Sequence, residues 1–209
     1  MERQAYWNRH GLAFANLYEK PTWFNRTFRQ GMFMRTEFAV GAVSQRPGAS
    51  VLDVGCGNGR NSVLMIKKAG ASRVVGADIS SEMLASAGEL ARKEGVASQC
   101  TFLQGDFLQV DLGDQRFDFS IALGLLDYFH DPLPVLTKIR QHTKVQFVAS
   151  FPGHAPIRMA LRKLRYGLRG CGVYGYSQRR IADLCAQAGF ASCRVERCTR
   201  SGWIAFADV

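Results

Sequence analysis

The stretch that decides the fold is VLDVGCGNGR, residues 51–60. An apolar run typical of a buried strand leads into three alternate glycines, which predict a tight turn and the start of a helix within ten residues. Because glycine has no Cβ, a ligand can approach the backbone of such a turn closely. We therefore expect a ligand to lie against Gly55, Gly57 and Gly59.

Outward from this turn, apolar segments typical of strands alternate with segments of helical periodicity. Alternation requires crossover connections, which favour parallel strands with helices on both faces. At the end of the chain, ASCRVERC and SGWIAFADV predict a hairpin. The expected fold class is α/β: a Rossmann-like, doubly wound sheet of seven strands, mainly parallel, with a C-terminal antiparallel hairpin, helices on both faces and an N-terminal helical cap.

The predicted organisation follows from one clear joint, the Pro/Gly cluster SQRPGAS at 44–50. Before it, aromatic and apolar residues recur at helical spacing between residues 25 and 43, which indicates one or two helices. We expect residues 1–47 to form the helical cap and residues 48–209 to form the ligand-binding domain. A basic helical lid is expected at about 153–176.

Length and composition favour one cytoplasmic domain. A chain of 209 residues can bury a core without disulfides or metal. No apolar run is long enough for a membrane span, and the start MERQAYWNRH lacks the apolar core of a signal peptide. The six cysteines form no CxxC pair, so we expect reduced thiols and no metal site.

Charge is distributed unevenly along the chain. Residues 1–131 carry 14 basic and 14 acidic side chains, and residues 183–209 carry three of each, so the whole surplus of ten lies in residues 132–182. Within it, APIRMALRKLRYGLRG (155–170) would place an apolar stripe beside an arginine stripe on a helix. Arg162 and Arg165 are expected to bind an anionic substrate or to rest on an anionic membrane surface, the alternative being an ordinary solvated helix face.

Two common glycine motifs do not fit this turn. A dinucleotide site requires G-x-G-x-x-G, and here Arg60 stands in the third glycine's place; a P-loop requires G-K-[ST], which is absent. The pattern D-x-G-x-G-x-G instead resembles the first motif of the class I S-adenosylmethionine (SAM) dependent methyltransferases. The resemblance continues through four further strand ends, over about residues 48–150.

The resemblance implies SAM as the cofactor and assigns roles to residues at these strand ends. Asp78, which ends the second strand, corresponds to the acid that binds the ribose hydroxyls. Asp106 and Phe107 in LQGDFLQ resemble the pair that brackets the adenine, and Met83 resembles a side chain packed near it. Asp53 is expected chiefly to order the turn. The complete predicted cofactor set is Asp53, Gly55, Cys56, Gly57, Gly59, Asp78, Ile79, Met83, Asp106, Phe107 and Leu123.

Candidate residues for the acceptor side follow strands four and five. Methyl transfer depends mainly on positioning, and a general base is needed only when the acceptor is a hydroxyl or a ring carbon. Tyr128 and His154 are the candidates for catalysis, with solvated or structural roles as the alternatives. Tyr18 and Trp23 in the N-terminal segment are candidates for the acceptor pocket, although core packing would explain aromatics there equally well.

The sequence favours a small anionic acceptor. The turn after strand four, LGLLDY, lacks an N-P-P-Y type sequence, and no acidic cluster follows strand five as the metal-dependent catechol type would require. SFPGH, followed by a basic segment and YGY, resembles the magnesium-protoporphyrin O-methyltransferases. O-methylation of a small molecule is therefore expected, with possible membrane-surface contact and no nucleic acid. An RNA methyltransferase and a non-catalytic SAM-binding protein are the alternatives.

Overall fold

A computed structural model describes residue 8 and residues 30–153, 172–199 and 202–209. Most of the predicted basic lid and most of the predicted N-terminal cap lie outside these ranges. Whether the chain divides at residue 47 into a cap and a ligand-binding domain therefore stays a prediction.

Within the described residues, five helices and seven strands follow the predicted alternation. The helices are α1 (Gln30–Ser44), α2 (Arg60–Lys67), α3 (Ser81–Lys93), α4 (Leu133–His142) and α5 (Gln178–Gln187). The strands are β1 (Ser50–Val54), β2 (Arg73–Asp78), β3 (Cys100–Gln104), β4 (Phe117–Ala122), β5 (Thr143–Pro152), β6 (Ser192–Thr199) and β7 (Gly202–Asp208).

The strands form one sheet in the order β3-β2-β1-β4-β5-β7-β6. The pairs from β3 to β5 are parallel, whereas β7 runs antiparallel to both β5 and β6. The predicted fold class is confirmed, including the C-terminal hairpin. From β1 the chain adds β2 and β3 on one side, and β4 and β5 then follow on the other side of β1. In sheets of this kind the ligand binds at the carboxyl ends of the two strands where the direction changes, which here are β1 and β4.

Helices cover both faces of the sheet, because successive strand residues point to opposite sides. Leu52 and Val54 of β1 belong to the apolar core beneath α4 and α5, whereas Val51 belongs to the core beneath α1 and α2. Both cores are made of buried aliphatic and aromatic side chains. This arrangement holds the strand ends rigidly, as a ligand site requires.

Hydroxyl caps set the starts of two helices. The Oγ of Ser80 accepts the backbone N–H of Met83 at the start of α3, and the Oγ of Ser177 accepts that of Arg180 at the start of α5. Serine at this position satisfies an N–H group that has no partner within the helix.

Helix α1 packs across the sheet and begins at the carboxyl edge. Ala39 and Val43 are fully buried in the core shared with β1, β4 and β5. The hydroxyl of Thr36 donates to the side-chain oxygen of Asn61 at 3.0 Å, which joins the first half of α1 to the start of α2. The first turns of α1 therefore lie beside the glycine turn.

No helix in the described ranges is long and apolar enough to cross a membrane.

Candidate functional site at the carboxyl edge of the sheet

The glycine turn joins β1 to α2 at the centre of the carboxyl edge. Gly55, Gly57 and Gly59 have φ angles of 72°, 55° and 72°, in the left-handed region that favours glycine. Gly59 is the N-cap residue of α2, and no side chain caps the first N–H groups of this helix. The turn can therefore present backbone to a ligand, as the sequence predicted.

Space around these glycines is also limited. A Cβ on Gly55 would lie 2.8 Å from the Leu125 side chain, and a Cβ on Gly59 would lie 2.8 Å from Cβ of Ala87. A Cβ on Gly57 would lie 3.0 Å from the terminal methyl of Met83. Larger residues would therefore displace the turn or the side chains that support it.

Asp78 connects the end of β2 to the glycine turn. One carboxylate oxygen accepts the N–H of Gly57 at 2.8 Å, and the other accepts the N–H of Ser80 at 3.0 Å. Burial raises the pKa of this carboxyl above its usual value, and hydrogen bonds from the backbone oppose the shift. Since each carboxylate oxygen has two lone pairs, Asp78 keeps acceptor capacity for ligand hydroxyls after both backbone bonds are made.

Asp53 lies beneath the turn and is 1 % exposed. Its carboxylate accepts the hydroxyl of Ser62 at 2.7 Å, which joins β1 to α2 under the glycines. Burial raises the pKa of Asp53 to about 7, and the nearby Asp78 adds to the increase. The geometry matches the predicted role of Asp53 in ordering the turn.

Cys56 and Met83 support the turn from below. Cys56 is 4 % exposed, and a Cβ on Gly76 would lie 2.8 Å from its Sγ, so Gly76 provides the space that the thiol fills. Burial raises the pKa of the Cys56 thiol well above its usual value. Met83 is 7 % exposed beside Gly57. Packing accounts for both side chains, and their predicted contacts with a cofactor remain predictions.

The predicted adenine-binding residues follow β2 and β3. Asp106 accepts the N–H of Leu108 at 3.1 Å, which shapes the turn after β3. Phe107 is 7 % exposed and belongs to the core, with the ammonium of Lys138 lying 5.1 Å from its ring centre. Ile79 follows Asp78 directly and is half-buried. Asp78, Ile79 and Asp106 thus lie on neighbouring strand ends, whereas Phe107 presents little surface to a ligand.

After β4 the chain forms a short turn that carries Tyr128. Leu123 is 8 % exposed and packs in the core, and a 3-10 turn follows at Leu126–Tyr128. The hydroxyl of Tyr176 lies 2.6 Å from the carbonyl of Phe129 and 3.2 Å from that of Leu126, so it ties both ends of this turn to the segment before α5. Burial raises the pKa of Tyr176, which keeps this phenol protonated as a donor. Tyr128 itself is half-buried at the site edge.

One charged residue at this edge, Arg35, was not predicted from the sequence. Its Nη1 donates to the hydroxyl of Ser150 at 3.4 Å, and that hydroxyl accepts the N–H of Gly124 at 2.8 Å. The only sequence signal was Gly124, a glycine two residues beyond the end of β4. Nothing in the pattern of α1 singled out Arg35, because its contact depends on packing between distant segments.

The residues present fit a SAM-like cofactor at the glycine turn. Gly55, Gly57 and Gly59 place no side chain between their backbone and a ligand, and Asp78 lies beside them with unused acceptor capacity. By analogy with other open sheets, the turn would hold the polar end of an adenosyl ligand and Asp78 its ribose hydroxyls. The predicted residues Tyr18, Trp23, His154, Arg162 and Arg165 lie outside the described residues.

Comparisons with known proteins agree with this arrangement. Residues 51–146 match a family described as a methyltransferase domain. A sterol 24-C-methyltransferase of Gibberella zeae is 32% identical over 100 residues, which are 48% of this chain and 26% of that protein. A demethylmenaquinone methyltransferase of Bacillus velezensis is 33% identical over 139 residues, which are 65% of this chain and 58% of that protein. The chain thus spans between about a quarter and three fifths of these two relatives.

Among solved structures, the magnesium protoporphyrin IX methyltransferase of Synechocystis PCC 6803 with bound S-adenosylhomocysteine (SAH) has a TM-score of 0.79 to this chain. The match is 22% identical and covers 98% of this chain and 96% of that one. At this identity the similarity shows the shared fold.

Proposed function

We propose that this chain is a SAM-dependent methyltransferase that methylates an oxygen of an anionic small molecule, because residues 51–146 match a family described as a methyltransferase domain. The observation that carries the proposal is the glycine turn with Asp78 beside it at the carboxyl edge.

In this proposal, residues on neighbouring strand ends bind different parts of the cofactor. Asp78 binds the ribose hydroxyls, and the turn Gly55–Gly59 contacts the amino-acid end of the cofactor through backbone groups. Asp53 keeps the turn in place through Ser62. When bound, SAM supplies an electrophilic methyl group on a sulfonium. With the ribose at β2, the acceptor enters over the ends of β4 and β5, on the other side of β1.

A carboxylate is the acceptor group that best suits this site. It is ionised at neutral pH and needs no general base, so positioning and exclusion of water are sufficient. The surplus of ten positive charges in residues 132–182 favours an anion. The neighbour named for magnesium protoporphyrin IX supports a large, flat acid as one candidate. For a hydroxyl or ring-carbon acceptor, Tyr128 or His154 would serve as the base.

An acceptor screen with methyl-tritiated SAM tests the proposal. Acids including magnesium protoporphyrin IX are incubated with the protein, and label in the product is measured before and after mild alkali. Alkali-labile label indicates a methyl ester and supports carboxylate methylation, whereas alkali-stable label moves the acceptor atom elsewhere. Absence of label from every acceptor, with SAH still bound, would favour a non-catalytic SAM-binding protein. Label in added RNA alone would favour an RNA methyltransferase.

A further inference from the structure

Arg35 stands where the acceptor must approach. Its helix α1 crosses the sheet, and its guanidinium lies at the ends of β4 and β5 beside Gly124 and Ser150. The glycine turn and Asp78 occupy the ends of β1 and β2 on the other side. A cofactor extended from β2 across β1 directs its far end toward β4, and therefore toward Arg35.

The fold leaves room for this guanidinium. Gly124 has a φ of 86°, and a Cβ there would lie 3.1 Å from both Nη1 and Nη2 of Arg35. A side chain at position 124 would therefore displace the guanidinium or strain the turn. The hydroxyl of Ser150 links the two groups, because it accepts from both Gly124 and Arg35. The position of Arg35 is thus defined by the turn after β4.

The charge of Arg35 is not compensated by nearby acids in the part of the chain that the structure describes. Within those residues its hydrogen-bond partner is the neutral Ser150 hydroxyl, and no carboxylate forms an ion pair with it. A guanidinium has five N–H donors arranged as a planar fork that suits carboxylates. The side chain is half-buried, so an anion bound there interacts more strongly than at an exposed arginine.

We propose that Arg35 binds a carboxylate of the acceptor and thereby selects acids over their neutral esters. The proposal rests on the proposed methyltransferase function and adds a specificity-determining residue to it. Arg35 holds this carboxylate beside the reacting end of the cofactor.

The test measures the preference for an acid over its ester with SAH present. Two pairs of ligands are titrated in the same detergent: protoporphyrin IX with its dimethyl ester, and palmitic acid with its methyl ester. The proteins compared are the wild type, Arg35→Met, Arg35→Lys and Arg46→Met. Arg46 is the matched control, because it removes one charge from the opposite end of α1, where it lies 3.9 Å from Asp118. SAH affinity within about twofold of wild type in each variant verifies that the site is folded.

We expect the wild type to prefer at least one acid over its ester, and Arg35→Met to bind that acid about tenfold more weakly with the ester unchanged. Arg35→Lys keeps the charge but lacks the planar fork, so its affinity for the acid is expected to lie between those of the wild type and Arg35→Met. Arg46→Met keeps the wild-type preference. An unchanged preference in Arg35→Met, or a wild type that prefers neither acid, overturns the role of Arg35. A wild type that does not bind SAH contradicts the proposed function instead.

Discussion

The Asp78 side chain joins two turns at the carboxyl edge of the sheet. Its two oxygens accept the N–H groups of Gly57 and Ser80, which belong to the two turns that follow β1 and β2. The carboxylate is therefore held in one orientation by backbone donors. Such preorganisation reduces the conformational cost of binding.

We predict that Asp78→Ala weakens SAM binding by about 1 to 3 kcal/mol, because charge-assisted hydrogen bonds to the ribose are lost. Isothermal titration calorimetry measures the change. Asp118→Ala is the matched control: Asp118 accepts the N–H of Ser50 at 2.8 Å at the opposite end of β1, far from the glycine turn. Equal effects of the two substitutions would mean that Asp78 acts only through stability.

Asp53 adds a pH dependence to stability. Its folded pKa is raised to about 7 by burial, so the folded protein keeps a proton that the unfolded chain releases near pH 4. The stabilisation that this proton provides is complete below the pKa of Asp53 in the unfolded chain. It is lost as the pH rises through the pKa of Asp53 in the folded protein. Stability should therefore fall between about pH 4 and pH 7.

We predict that Asp53→Asn, which keeps an acceptor for Ser62, removes this pH dependence. Free energies of unfolding from urea titrations at pH 5 and pH 7 measure it. The wild type is expected to lose about 2 kcal/mol relative to the variant over this interval. A constant difference between the two proteins across the interval would show that Asp53 is ionised throughout.

At the scale of elements, the turn between β1 and α2 combines an unusual backbone with close packing. Gly57 and Gly113 have nearly the same φ, 55° and 52°, but a Cβ at Gly57 meets Met83 whereas a Cβ at Gly113 meets nothing within 4 Å. Substitutions at Gly57 and at Gly113 should therefore cause similar backbone strain, and only the substitution at Gly57 should also disturb the candidate site.

We predict that Gly57→Val abolishes SAM binding while the protein still folds, because a branched side chain at this positive φ would meet Met83 and displace the turn that the ligand contacts. Gly113→Val is expected to lose comparable stability and to bind SAM normally. Circular dichroism and calorimetry measure the two properties. Normal SAM binding by the Gly57 variant would remove the glycine turn from the cofactor site.

The elements themselves were predictable from sequence, whereas part of the site was not. Alternating apolar runs are local signals, and all seven strands and the terminal hairpin were expected from them. The contact between Arg35 and Ser150 joins residues 115 positions apart, and the two carbonyls beside the Tyr176 hydroxyl are 47 and 50 positions from it. Such contacts depend on how α1 and the segment before α5 pack on the sheet, which no local pattern encodes.

On the scale of the whole molecule, charge is balanced everywhere except in residues 132–182. That segment includes the positions between β5 and α5 that follow the acceptor side of the sheet. A concentrated positive charge there would draw anionic acceptors toward the site, and salt would weaken the attraction.

We predict that Arg162→Glu with Arg165→Glu raises the Michaelis constant for an anionic acceptor and leaves SAM affinity nearly unchanged, with a smaller effect at high salt. Arg92→Glu with Lys93→Glu makes the same change in charge on exposed residues at the end of α3 and serves as the control. Initial rates at low and high salt measure the effect. Equal changes in both double variants would indicate a general effect of net charge.

We infer that the carboxyl edge between β2 and β4 is the cofactor site, and a crystal structure of the protein with SAH would test this inference. We expect the ligand to lie against the backbone of Gly55–Gly59, with its ribose hydroxyls within hydrogen-bond distance of the Asp78 carboxylate. SAH bound at another place, or failure of the protein to bind SAH at all, would contradict it.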